Sequence, residues 1–358
     1  MDDKAARYSR LKYALALLDI VLTLVLLILF RSTGASLYLK QAVAFPGIDR
    51  FLAAALYLAA VFAAYSLITL PFELYRSFFV EHAFGLSKQK LRSWFADYLK
   101  SAFLGLVFFL VLMEAFYFFI WNFPRGWWWM SASFWIFLSI VIARIFPIVL
   151  IPLFFKYKKL DNEDLRRRIL NLAYRMRVKI LDVFEIDYSK KSLKANAAFV
   201  GLGKSRRVLL ADTLIGGKYL PEEIEAVLAH EFAHYRSRHL VKMVLLNCAV
   251  ITAVFYGFFL LSGAGISASD ISNLWFWLFL FMMIQIILTP FTNLLHRIME
   301  RNADDAAIAA TGRPDSFVSM MRKLGEQNLA DRNPPLWARI FFYDHPPIEE
   351  RIKRAGGG

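Results

Sequence analysis

Leu274–Asp304 reads LWFWLFLFMMIQIILTPFTNLLHRIMERNAD. Up to Leu295 it carries no Asp, Glu, Lys or Arg. At about 1.5 Å of rise per residue, that part is long enough as a helix to cross a hydrocarbon core of about 30 Å. Open backbone in lipid would leave N–H and C=O groups unpaired, so a helix is required. Beyond Leu295 the same stretch acquires Arg297, Glu300, Arg301 and Asp304. It therefore predicts a membrane protein whose ionisable chemistry begins where a span leaves the bilayer.

Five further stretches have the same character: Tyr13–Phe30, Phe51–Phe72, Ala102–Phe123, Ser133–Phe155 and Val241–Leu261. Composition agrees over the 358 residues: 58% are hydrophobic, 20% charged, and the mean hydropathy is +0.46. A soluble domain has about 25% charged and about 45–50% apolar residues. A disordered chain is excluded, and an ordinary soluble enzyme is disfavoured. Glu114, Arg144, Pro147 and Pro290 interrupt the apolar runs. Charge in mid-bilayer is costly, so Glu114 and Arg144 are expected to face other helices or water. The first run follows Lys4, Arg7, Arg10 and Lys12. It outlasts the apolar core of a signal peptide, about 7–15 residues, and reads as a retained span.

Lys and Arg fix the orientation. With the N-terminus in the cytoplasm, the inner segments hold 37 of them: four in 1–12, five in 73–101, eighteen in 156–240 and ten in 296–358. The outer loops hold four, namely Arg31, Lys40, Arg50 and Arg125. Positive charge accumulates on the cytoplasmic side. The net charge of +14 is thus mainly a topology signal, suited to anionic headgroups. No basic–aromatic module for nucleic acid is visible. The chain divides into a four-span region (1–155, with an inner loop 73–101), an insertion (156–240), two spans (241–295) and a tail (296–358). Insertion and tail together suffice for one small α+β domain. The fold class is mainly α, a polytopic membrane protein of about six transmembrane helices with that domain on the cytoplasmic side.

Within the insertion, Asp182–Asp187 alternates like a strand and Arg207–Ala211 is β-rich. Pro221, Glu222 and Glu223 then open a helix expected to run to about Arg238. On it stands His230-Glu231-Phe232-Ala233-His234. Residues four apart share a helix face, so His230 and His234 can reach one metal ion, with Glu231 placed as general base. With Cys248 the single cysteine, a metal must be held by His and carboxylates, and Zn2+ suits them. A third ligand is needed. His239 is nine residues after His230 and position 237 is Ser, so the metzincin spacing of ten with an intervening Gly fails. The alternative is a Glu from a second helix. Glu300 begins such a polar helix after the last span, and Asp304 on the same face can hold a ligating His by its outer nitrogen.

At this point the chain resembles the CaaX prenyl protease 1 family, the intramembrane zinc metalloproteases of the sterile-mutant type. The matching segments are FVEHAFGL (Phe79–Leu86), LKANAAFVGLGKSRRVLLADT (Leu193–Thr213), HEFAHYRSRH (His230–His239), ERNAD (Glu300–Asp304) and HPPIEER (His345–Arg351). The resemblance implies zinc on His230, His234 and Glu300, with Glu231 and His345 catalytic and His345 stabilising the oxyanion. It implies Asn196 and Ala197 on an edge strand that pairs with substrate, and Arg351 anchoring substrate. It also implies a helical barrel around a chamber, and a peptide or protein substrate carrying a prenyl group. Members typically have seven spans. Six here predict a chamber that is less closed, or one that a partner completes. His296, one turn before Glu300, is a rival ligand. A quality-control protease of the membrane is the alternative function, a metal transporter or silent scaffold more distant ones. A prokaryotic plasma membrane is the expected location.

Overall fold

The computed structural model describes residues 2–201 and 206–356. Leu202–Ser205, within the segment Leu193–Thr213, lie outside the described residues. Helix α1 (Asp2–Ser32) is followed by the short α2 (Ala35–Ala42) and by α3 (Arg50–Leu74). A π-turn and α4 (Val80–Ala83) lead to α5 (Leu91–Asn122) and α6 (Trp127–Ile145). The fourth span passes from α6 through a π-turn, Phe146–Leu150, into α7 (Ile151–Phe154). Pro147 has no N–H to donate, which suits the break in the regular ladder.

Among the described residues, six helices are long and apolar enough to cross a membrane. Only 11–22% of the most apolar window in each is buried. The remainder faces lipid or the space between the helices. α3 packs on α5, α5 on α6, and α6 on α11 (His239–Gly263). The ring continues through α12 (Leu274–Thr311) to α1. Thr23 and Tyr65 hydroxyls 3.1 Å apart bring α1 against α3, and Arg76 of the π-turn after α3 donates to Asp19 at 3.2 Å. Neighbouring spans thus meet in a ring. A cavity of about 490 Å³ between α5, α6, α11 and α12 is lined by Phe116, Trp135, Phe255, Trp277 and Phe281, with Asn247 and Gln285 among them. Glu114 keeps one buried carboxylate oxygen without a hydrogen bond, while Arg144 is exposed.

The sequence reading missed α2, which is too short to span. It lies at the end of the ring away from Glu300, by the start of α12. The Ser36 hydroxyl donates to Ser272 O and accepts from Tyr57, both at 2.7 Å, and Lys40 meets Asp270 at 2.8 Å.

The soluble domain holds β1 (Tyr157–Lys159), α8 (Glu163–Arg175), β2 (Val183–Ile186), β3 (Ala197–Val200) and β4 (Arg207–Ala211). Then come α9 (Asp212–Ile215), α10 (Pro221–Arg236) and, past the two spans, α13 (Pro314–Asn328), α14 (Leu336–Phe342) and α15 (Ile348–Arg354). The strand order is β1-β2-β4-β3, with β2 and β4 parallel and the outer pairs antiparallel. β3 is therefore an edge. Its Phe199 packs edge-on to Phe232 of α10, ring centroids 5.5 Å apart.

One expectation needs correcting. The polar helix with Glu300 does not start after the last span; it is the last span, continued without interruption to Thr311. No glycine or proline separates Phe291 from Thr311, so nothing stops the helical ladder as it leaves lipid. On this extension Ala303 and Ala307 are fully buried in the same core as Ala229 and Ala233 of α10. Each pair is spaced four apart and forms one stripe. Small side chains on both helices let α10 and α12 approach closely.

Candidate metal centre

α10 is fixed before it presents its histidines. Pro221 opens it, and the Glu223 carboxylate accepts the Leu220 N–H at 2.8 Å. That buried carboxylate also accepts from Lys323 at 2.7 Å and Ser319 at 2.5 Å, tying α13 to α10. Arg168 of α8 bonds Glu222 at 2.7 Å and Glu225 at 3.1 Å. The alanine seam then sets His230 and His234 opposite Glu300.

His230, His234 and Glu300 each offer one donor atom, all within 4.8 Å of one another. His234 Nε2 lies 3.1 Å from His230 Nε2 and 3.1 Å from Glu300 Oε1, and His230 Nε2 lies 3.2 Å from Glu300 Oε2. Three donors, each about 2 Å from a shared cation, stand about 3–3.5 Å apart. The buried Glu300 Oε2 has no well-aligned hydrogen-bond donor, His230 Nε2 being the nearest at 3.2 Å. The residues fit a single metal ion. His296, the rival ligand, is not in this group, nor is His239.

The outer nitrogens of the two histidines are held differently. His230 Nδ1 meets Asp304 Oδ1 at 2.8 Å. Asp304 is gripped in turn by Arg351, whose Nε and Nη2 donate at 2.8 and 2.6 Å. Burial alone would lower the His230 pKa, but the Asp304 and Glu300 carboxylates hold it up at about 9. A metal and a proton compete for this ring. Arg351 itself is kept charged: burial opposes its charge, and Asp304 more than restores it. His234 Nδ1 instead meets the buried His239 ring, Nδ1 to Nδ1, at 3.0 Å.

Glu231 and His345 line one cavity of about 180 Å³ with His230, Arg351, Asn196 and Ala197. Leu214, Val227, Met320 and Met321 give the same cavity an apolar side. Burial pushes the Glu231 carboxyl above its ordinary range, which suits a proton acceptor working near neutrality. His345 is half-exposed, with Nε2 3.4 Å from Glu300 Oε1 and Nδ1 2.7 Å from Asp344 Oδ1. Burial opposes its proton, but Asp344 and Glu300 raise its pKa overall. The segment carrying it is pinned through backbone carbonyls. Arg297 donates to Arg339 O at 2.8 Å and Tyr343 O at 2.6 Å, and Asn293 to Ile340 O and Phe341 O at 3.1 and 3.0 Å. Asn196 is exposed just before β3, and its carbonyl accepts the Ala211 N–H at 3.0 Å. The Asn328 side chain exchanges bonds with the Ala195 backbone at 2.8 and 3.2 Å, holding the strand's entry against α13.

Asn196, Ala197, His230, Glu231, His345 and Arg351 thus line one cavity, with His234, Glu300 and Asp304 beside it, whereas Glu114 and Arg144 lie in the spans and His296 outside the donor group. Sequence reasoning missed Asn328, Arg297 and the part played by His239. Asn328 and Arg297 are common polar residues with no motif. His239 was weighed only as a ligand.

Residues 159–357 match the description "Peptidase family M48", and residues 2–156 match "CAAX prenyl protease N-terminal, five membrane helices". An uncharacterized metalloprotease, YhfN of Bacillus subtilis, is 27% identical over 98% of this chain and 84% of its own length. The CAAX prenyl protease 1 of Saccharomyces cerevisiae is 29% identical, covering 80% and 68% respectively. The crystal structure of Ste24p from S. mikatae superposes with a TM-score of 0.87 at 25% identity, covering 98% of this chain and 88% of that one.

Proposed function

Because the chain belongs to peptidase family M48, and is a multi-pass membrane metalloprotease, we propose that it is a zinc endopeptidase cleaving near the C-terminus of prenylated peptides. The observation that carries the reading is the convergence of His230, His234 and Glu300 within 4.8 Å beside the Glu231 carboxylate. That is the HExxH-plus-Glu ligand set. Those three residues would hold the ion. When bound, zinc supplies positive charge that polarises a carbonyl and makes water more acidic.

This chain's residues do the rest. Substrate backbone pairs with the open edge of β3 at Asn196 and Ala197, as an added strand. The pairing lays the scissile bond along the cavity. The apolar wall of Leu214, Val227, Met320 and Met321 receives a neighbouring side chain. Met lends that wall adaptability. Glu231 takes a proton from the attacking water and passes it to the leaving nitrogen. His345 donates from Nε2 to the carbonyl oxygen as charge develops there. Arg351 lines the cavity while holding Asp304, and meets a terminal carboxylate of the substrate. The excess of Lys and Arg on the inner segments supports a cytoplasmic side for this chemistry; the membrane proposed is a prokaryotic plasma membrane.

Replacing His345 by Ala should lower kcat by about 10²–10³-fold, the usual effect of losing one oxyanion donor, with zinc content unchanged. Loss of zinc in that variant would assign His345 to the metal instead. The wider reading is tested with detergent-purified protein and a farnesylated CaaX peptide, beside its unprenylated twin. Cleavage of the prenylated peptide at a markedly higher kcat/KM supports the reading. Equal cleavage of both removes the prenyl requirement. Cleavage of unfolded membrane proteins alone favours quality control.

A further inference from the structure

We infer that His239 is a positioning residue for the metal centre: it accepts the Nδ1 proton of His234 and so holds that ring as a ligand. The inference rests on the metal-site reading above.

The chemistry fixes the direction of the bond. A neutral imidazole that ligates through Nε2 carries its proton on Nδ1. His234 turns Nε2 towards His230 and Glu300 at 3.1 Å each. Its Nδ1–H therefore points to His239 Nδ1 at 3.0 Å. His239 must accept there, so it is neutral with its own proton on Nε2. The two rings meet edge-on, with centroids 5.0 Å apart. His239 is 4% exposed, so no water competes freely for that lone pair.

The backbone shows how the sequence achieves this. His239 stands five positions after His234, and on one continuous helix that offset puts them on different faces. The helix is broken instead. α10 ends at Arg236, and Arg238 takes the left-handed conformation with φ 54° and ψ 35°. A non-glycine residue there costs roughly 1–2 kcal/mol. The reversal brings the first residue of α11 back against the last turn of α10. Metal-ligating histidines generally depend on such an outer partner, and its loss costs about 10–100-fold in metal affinity or activity. The usual partner is a carboxylate or carbonyl, as Asp304 is for His230. The second histidine here has a neutral partner, carried by the first residue of a membrane span.

The test is zinc affinity of the full-length, detergent-purified chain by chelator competition. His239→Leu removes the acceptor, and affinity should fall about 10-fold or more. His239→Asn can place Oδ1 where Nδ1 stood and should remain within about threefold of the wild type, as rescue of the acceptor demands. Unchanged affinity in the Leu variant overturns the role of His239 alone. Equal losses in Leu and Asn also overturn it, since the effect is then packing. A wild-type chain that binds no zinc overturns the metal reading and this one with it. Should the Leu variant fail to fold, imidazole nitrogen NMR of the zinc-loaded wild type decides. A proton on His239 Nε2 and on His234 Nδ1 supports the assignment, and the opposite tautomer of His239 sinks it.

Discussion

Glu231→Gln leaves the metal in place and removes peptide hydrolysis. Glutamine matches glutamate in shape, and Glu231 is not among the three clustered donors, so metal stoichiometry should stay at the wild-type value. What disappears is a carboxylate able to take a proton. Its environment is already set for that work, since burial pushes the carboxyl above its ordinary range. A positioned general base contributes typically about 10²–10⁴-fold. Here the same group also returns the proton to the leaving nitrogen, so the loss should reach the upper part of that range or beyond. Single-turnover cleavage by metal-replete variant protein measures it. Substantial turnover would move the base elsewhere in the cavity.

Glu300→Ala should empty the site. Glu300 is 5% exposed and lies 3.1–3.4 Å from nitrogens of His234, His230 and His345. Removing it takes away a ligand and the negative charge that faces three imidazoles. Two histidines on one helix make a weak site by themselves, and a catalytic zinc normally has three protein ligands. Bound zinc should drop well below one equivalent, and activity with it. Far-ultraviolet circular dichroism should change little, because α12 gains a residue of higher helix propensity. Retained stoichiometric zinc would point to another third ligand, His296 or His239.

The apolar runs were legible because length and composition alone decide them, and each of the six became helical, the fourth with a π-turn at Phe146–Leu150. Their ends were less so. α5 starts at Leu91, well before Ala102, because Leu91–Lys100 is helix-forming yet too polar to count as lipid-facing. HExxH was legible because a helix turns fixed spacing into fixed direction. Glu300 and Asp304 were legible for the same reason, at one turn's separation. The His239 contact was not, since it depends on a left-handed Arg238 that no propensity predicts. The clamp on the His345 segment was also hidden. It uses side chains of α12 against carbonyls some forty residues away in sequence, together with a 2.6 Å hydroxyl contact between Tyr13 of α1 and Tyr343.

α12 enters lipid at Leu274 and carries Glu300 without a break. The carboxylate sits only about 7.5 Å past Leu295 along the helix axis. Its partner histidines ride on a separate helix. The centre is thus closed across a joint whose one arm is a membrane rod. A bilayer too thin or too thick for that rod changes its tilt, at a cost of fractions of a kcal/mol per Å. Ala303 and Ala307 share one buried core with Ala229 and Ala233, so tilt would carry Glu300 and the two histidines together. Membrane thickness would thereby set how the whole centre is oriented against the bilayer surface, with the seam keeping its ligands in register.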